Sequence, residues 1–131
     1  MKVNNLCIST YLVTAALGLC FSQPIFAKPV EFFSSQRNTD NQYPFSNAVR
    51  VGDLLFLSGE IGTLPDSSKL IEGGIKAESK QTMDNIQASL ATHNLTMSDL
   101  VKCTVMLADI KDWSAFNQLY KEYFPKHFPA R

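Results

Sequence analysis

The stretch Asn47-Ala48-Val49-Arg50-Val51-Gly52-Asp53-Leu54-Leu55-Phe56-Leu57-Ser58-Gly59, residues 47–59, decides the fold. Two short apolar runs, Asn47–Val51 and Leu54–Ser58, flank the pair Gly52-Asp53. β-Branched and aromatic side chains suit a pleated surface, and a glycine-containing pair between such runs suits a tight hairpin. Two strands alone bury too little to be stable, so this hairpin must pack against later parts of the chain.

The next segment, Ile61–Gly74, is a loop with Pro65, Asp66, Ser67, Ser68 and the pair Gly73-Gly74. Its composition predicts a turn region with a small hairpin at Lys69–Glu72; no Gly-Lys-Ser/Thr comes after it, so it is not a phosphate loop. Ile75–Asn94 then has helical spacing. Met83, Ile86 and Leu90 share one face, Lys76, Lys80, Asp84 and Gln87 take the others, and Asn94 is placed to cap the C-terminus. After a turn at Thr96–Asp99, Val101, Cys103, Val105 and Leu107 alternate with Lys102, Thr104 and Met106. That period predicts a strand with one buried face and puts Cys103 in the core. A second helix is expected after Asp112 as N-cap, running through Phe116, Leu119, Tyr120, Tyr123 and Phe124 until Pro125 stops it. The order β, β, α, β, α predicts an α+β domain, a sheet covered on one face by two helices, and calls for one more strand after the second helix.

The chain divides into three segments. Residues 1–27 carry Lys2, an apolar run from Leu6 to Phe21, a helix breaker at Pro24 and a small residue at Ala27. This is the plan of a secretory signal peptide cleaved near Ala27, and predicts export to a periplasmic or secreted location. At 16 residues, diluted by Ser9, Thr10 and Thr14, the run is shorter than the ~20 residues a spanning helix needs, so no stable membrane insertion is expected. Residues 28–43, with the polar run Ser34–Gln42, are expected to form an extended leader, and residues 44–131 the folded domain.

The 131 residues hold 12 Lys+Arg and 12 Asp+Glu, and 45% of them are hydrophobic, which suits one globular domain. Loss of Lys2 with the signal peptide takes the net charge to −1, and the remaining cations are dispersed, so no nucleic-acid footprint stands out. Cys7 and Cys20 would leave with the same segment, so Cys103 has no partner for an internal disulfide.

Few groups are placed for chemistry. His93 and His127 lie far from Cys103 in sequence, so neither a metal site nor a Cys/His pair is expected. Phe116, Tyr120, Tyr123, Phe124 and Phe128 fall at the spacing of core packing rather than of a stacking platform. Pro129-Ala130-Arg131 is different. It holds a guanidinium on a short rigid segment beside an aromatic helix end, and that planar fork matches both oxygens of a small carboxylate. On residue type alone, a surface charge or interface ion pair is the commoner role for such an Arg.

Several separated stretches together resemble the RidA/YjgF family. They are Pro44-Phe45-Ser46-Asn47-Ala48-Val49, Leu57-Ser58-Gly59-Glu60-Ile61-Gly62, Glu72-Gly73-Gly74-Ile75, Val101 to Asp109, Phe116-Asn117, Tyr120, Tyr123-Phe124 and Phe128-Pro129-Ala130-Arg131. The resemblance implies a chorismate-mutase-like subunit that assembles as a homotrimer with ligand pockets between subunits. It also implies cofactor-free hydrolysis of 2-iminobutanoate and 2-iminopropanoate to 2-oxo acids and ammonia. In this chain Arg131 would be the catalytic anchor for the substrate carboxylate, with Ser58, Gly59, Phe45 and Asn117 lining the substrate pocket. Phe45 stands where deaminase members commonly have Tyr. Such domains continue beyond the Pro-Ala-Arg motif into one or two strands that carry a Glu associated with activating water. A non-catalytic member that binds small carboxylates, or a holdase-like stress protein, is the alternative. A ribonuclease or translation inhibitor is disfavoured by the near-neutral charge.

Overall fold

The computed structural model describes residues 28–65 and 67–131. The expected signal peptide, residues 1–27, lies outside the described residues. Three strands, β1 (Val30–Phe33), β2 (Ala48–Val51) and β3 (Leu54–Leu57), form an antiparallel sheet in that order. The hairpin predicted from residues 47–59 is β2 and β3, with Ala48 opposite Leu57 and Val51 opposite Leu54. Gly52 takes φ 60°, the left-handed conformation that this turn needs and that glycine adopts without a Cβ clash.

The expected extended leader folds instead. Val30–Phe33 is rich in β-formers and adds to the free edge of β2, Phe32 opposite Val49 and Phe33 opposite Ala48. Within the polar run, Gln36–Asp40 forms a short helix, α1, because Ser35 caps it: the Ser35 hydroxyl accepts from the Asn38 N–H at 3.2 Å.

The loop before the first long helix folds back on itself as a hairpin wider than Lys69–Glu72. The Leu64 N–H donates to the Lys69 carbonyl at 3.0 Å and the Ile71 N–H to the Gly62 carbonyl at 2.8 Å. A Cβ on Gly62 would stand 2.7 Å from the Glu78 carbonyl oxygen, so only glycine lets this hairpin lie against the helix. That helix is α2 (Gly74–Ala91). Its C-terminus closes as the sequence predicts: Asn94 takes φ 59°, its N–H donates to the Ala91 carbonyl, and the Leu95 N–H reaches back to Leu90.

The second helix, α3 (Trp113–Tyr120), differs at both ends from expectation. Asp112 makes no side-chain cap; Asp109 accepts from the Lys111 N–H one turn earlier and starts a 3-10 turn, Ile110–Asp112, that runs into α3. A further 3-10 turn, Lys121–Tyr123, carries the chain to Phe124. Helices α2 and α3 pack together over the sheet. Met83, Leu90, Met97, Phe116, Tyr120 and Phe124 are buried between them, with Leu57 of β3 packed on from below.

The predicted strand at 101–107 is the main correction. The segment is extended and its alternation is real, since Cys103, Val105 and Leu107 are half-buried while Val101 and Met106 are exposed. Val105 and Leu107 pack against the core, but Cys103 is not fully buried. Among the described residues its ladder partner is Ala130 alone, in a parallel bridge with Lys102. Burial of one face is a property of the segment, whereas sheet membership requires a neighbour, and β3 does not supply it.

Candidate functional site

That bridge positions the chain's last residue. The Cys103 N–H donates to the Ala130 carbonyl at 2.8 Å and the Ala130 N–H to the Val101 carbonyl at 3.0 Å, so Arg131 leaves a clamped backbone. Its guanidinium then lies across two aromatic faces, 4.7 Å from the Tyr120 ring centre and 5.1 Å from that of Trp113. Nη1 donates to Asn117 Oδ1 at 2.6 Å. Trp113, Asn117 and Tyr120 belong to α3, at helical spacings that stack them on one side. Two cation–π contacts and one amide hold the fork without neutralising it, and among the described residues Arg131 makes no ion pair.

The guanidinium edges a small cavity of about 160 Å³ lined by Asn117, Tyr120, Lys121, Phe128 and Arg131. Tyr120 forms its floor. It is 2% exposed, and its hydroxyl lies beside the Cys103 thiol without a hydrogen bond of ordinary geometry. Burial, and secondarily the thiol, push its pKa up to about 12 against the pull of the Arg131 charge. The phenol is therefore neutral at physiological pH and cannot compete with a ligand anion for Arg131.

Phe45, Ser58 and Gly59 line a different and larger depression, a groove of about 580 Å³ between the hairpin, α1 and α2. The Ser58 hydroxyl donates to the Ser46 carbonyl at 2.6 Å and its N–H to the Asn47 carbonyl at 2.9 Å, fixing the end of β3 to the approach to β2. A Cβ on Gly59 would meet nothing within 4 Å, so nothing among the described residues crowds the position. Phe45 is half exposed and stacks on Tyr43, rings 5.6 Å apart and 9° from parallel. The five predicted residues thus form two sets, Arg131 with Asn117 and Phe45 with Ser58 and Gly59, and neither depression is lined by both.

Sequence reasoning missed Trp113, Lys121, Tyr43, Arg37 and Glu60. Trp113 had a usable signal, since it precedes Asn117 by one helical turn. Arg37 had none, because it sits in a polar run whose folding depends on contacts with the hairpin. His93 packs edge-on to Phe33 at 4.6 Å, and His127 meets the Ser98 carbonyl at 3.1 Å. Among the described residues, no group of three or more His, Cys, Asp or Glu converges, and no helix is long and apolar enough to cross a membrane.

The sequence profile of the family described as endoribonuclease L-PSP matches residues 36–131. A human protein named 2-iminobutanoate/2-iminopropanoate deaminase is 42% identical over 88 residues, covering 67% of this chain and 64% of its own length. The chain thus spans less than two thirds of that relative. Among solved structures, RidA from the Antarctic bacterium Psychrobacter sp. PAMC 21119 superposes with a TM-score of 0.64 at 33% identity, over 67% of this chain and 71% of its own. A protein of the conserved Rid family from Yersinia pestis superposes with a TM-score of 0.71 at 30% identity, over 79% and 82%. The α+β architecture of two helices over an antiparallel sheet is shared with these structures, and the chain belongs to the endoribonuclease L-PSP family, the RidA/YjgF family.

Proposed function

We propose that this chain hydrolyses reactive 2-imino acids to 2-oxo acids and ammonia, in sites completed between copies of a homotrimer. The observation that carries the reading is the Arg131 guanidinium, held flat by Trp113, Tyr120 and Asn117 at the edge of a cavity. A fork fixed this way binds a carboxylate through two parallel N–H bonds with little further loss of freedom. That orients the neighbouring imine carbon. Protonated as an iminium, the carbon is already electrophilic, so the protein must mainly position it and a water molecule. Water adds to the carbon as the C=N pair moves to nitrogen, the tetrahedral amino alcohol collapses to the 2-oxo acid, and ammonia leaves. The human relative's name supports the same chemistry.

The homotrimer reading is supported by the separation of Arg131 from the groove of Ser58 and Gly59, which a second copy would bring together. It is also supported by the outer sheet face, where Val30, Phe32, Val51, Leu54 and Phe56 are exposed.

The test is the decay of 2-iminobutanoate generated in situ from an amino acid. Arg131→Ala is expected to lower kcat/KM by about 10²-fold, with Arg131→Lys keeping part of the rate. An Arg131→Ala variant as active as the parent would overturn the proposal. Phe45, which brings no hydroxyl to the groove, favours a second reading, a non-catalytic binder of small carboxylates. Retained 2-oxobutanoate binding with no imine decay in the parent chain would select it.

A further inference from the structure

Among the described residues, the groove of Ser58 and Gly59 also holds one guanidinium, Arg37, and one carboxylate, Glu60. Arg37 is presented by α1, and Nη2 donates to the Ser68 hydroxyl at 3.1 Å. A five-residue helix is unstable alone, so its attachments decide where that charge sits. The Ser35 N–H donates to Asn47 Oδ1 at 2.6 Å, and Asn38, 6% exposed, donates through Nδ2 to the Phe45 carbonyl at 3.3 Å. Both bonds fasten α1 to the chain that forms the groove wall. Across from α1, the Ser89 hydroxyl of α2 donates to Glu60 Oε1 at 3.0 Å. Guanidinium and carboxylate are each fixed by a serine and both face one open groove.

In a site completed by Arg131 of another copy, the charges held in place among the described residues are two guanidinium groups and one carboxylate; Lys121, exposed at the edge of the Arg131 cavity, adds a cation that water screens. The iminium form of a monocarboxylic acid carries one negative and one positive charge, which leaves a guanidinium unmatched. The iminium form of a dicarboxylic acid carries two negative charges and one positive, and matches the two guanidinium groups and the carboxylate. A charged donor left without a partner in a site built for one is what discriminates against the shorter ligand. We infer that the groove selects 2-imino dicarboxylic acids, with Arg131 on the α-carboxylate, Arg37 on the distal carboxylate and Glu60 facing the iminium N–H. This rests on the reading of Arg131 as carboxylate anchor; the hydrolysis is the same water addition and loss of ammonia, with no added reactant.

The experiment is calorimetric titration of the full chain with 2-oxoglutarate and oxaloacetate against 2-oxobutanoate, which reads the site without turnover. A dicarboxylate is expected to bind at least about tenfold more tightly than 2-oxobutanoate. Arg37→Ala should bring that ratio close to one and Arg37→Lys should keep part of it. Equal affinities in the parent chain, no binding of either class, or an Arg37→Ala variant that weakens both acids by the same factor would each overturn the inference. Imine decay measured in parallel separates it from the proposed function. A dicarboxylate preference without hydrolysis sinks the hydrolase reading and keeps this one, and hydrolysis without a preference does the reverse.

Discussion

At the residue scale, Arg131 is held by its neighbours: Tyr120 stays neutral at physiological pH, Trp113 supplies a second face, and Asn117 takes one N–H. Gly59 lines the other depression, and the proposed function gives its missing side chain a role there. Because a Cβ there would enter open space and the backbone has no positive φ, Gly59→Ala should leave melting unchanged or raise it slightly. In the same variant, the proposed function expects affinity for 2-oxobutanoate to fall by about tenfold, because a methyl group would enter the space that reading gives to the ligand. Thermal melting paired with titration checks this, and unchanged affinity would remove Gly59 from the site. Arg131, Asn117, Ser58 and Gly59 were legible as motif residues. Tyr43, Arg37 and Glu60 were not, because each reaches the groove through a loop or a short helix whose path is set by tertiary bonds rather than by local pattern.

At the element scale, helices were easier to read than strands. The stripe Met83, Ile86, Leu90 and the cap residue Asn94 are local signals, and α2 obeys them with its end moved to Ala91. Asn94 carries a prediction of its own. It holds a left-handed backbone that costs a residue with a plain Cβ about 1 kcal/mol, so Asn94→Ala should lower Tm by roughly 4–8 °C while Asn94→Gly should not. Melting at one fixed protein concentration checks it, and equal loss in both variants would mean that the side chain, not the backbone, is what matters. The segment 101–107 shows why strands are harder: alternation reports which side chains face inward, and that much is true of Cys103, Val105 and Leu107. Pairing is decided elsewhere in the chain. Among the described residues, the one bridge this segment makes goes to Ala130, 28 residues after Lys102, and its effect is to aim Arg131. β1 was missed for the same reason, since four residues of favourable composition become a strand only where β2 offers an edge.

At the scale of the whole molecule, the two faces of the sheet differ in kind. Phe33, Ala48 and Leu57 lie in register on the face toward α2 and α3, whereas Phe32, Val49 and Phe56 form the neighbouring cross-strand row on the other face. On that outer face Phe32 is 70% exposed and Phe56 58%, with Val30, Val51 and Leu54 beside them. A contiguous apolar row of this kind is costly in water and is the mark of a surface that another molecule covers. If copies of this chain cover it, and if the Arg131 cavity meets the groove of Ser58 and Gly59 only between copies, then assembly and activity must fail together. Phe32→Glu combined with Phe56→Glu places two charges in the centre of the row without touching either depression. Light scattering should show the parent at three times the chain mass and the double variant at one. Circular dichroism should stay unchanged, because the helix-facing core is untouched, and imine hydrolysis should drop by at least about tenfold. A double variant that is monomeric and fully active would separate the site from the assembly and return both depressions to a single chain.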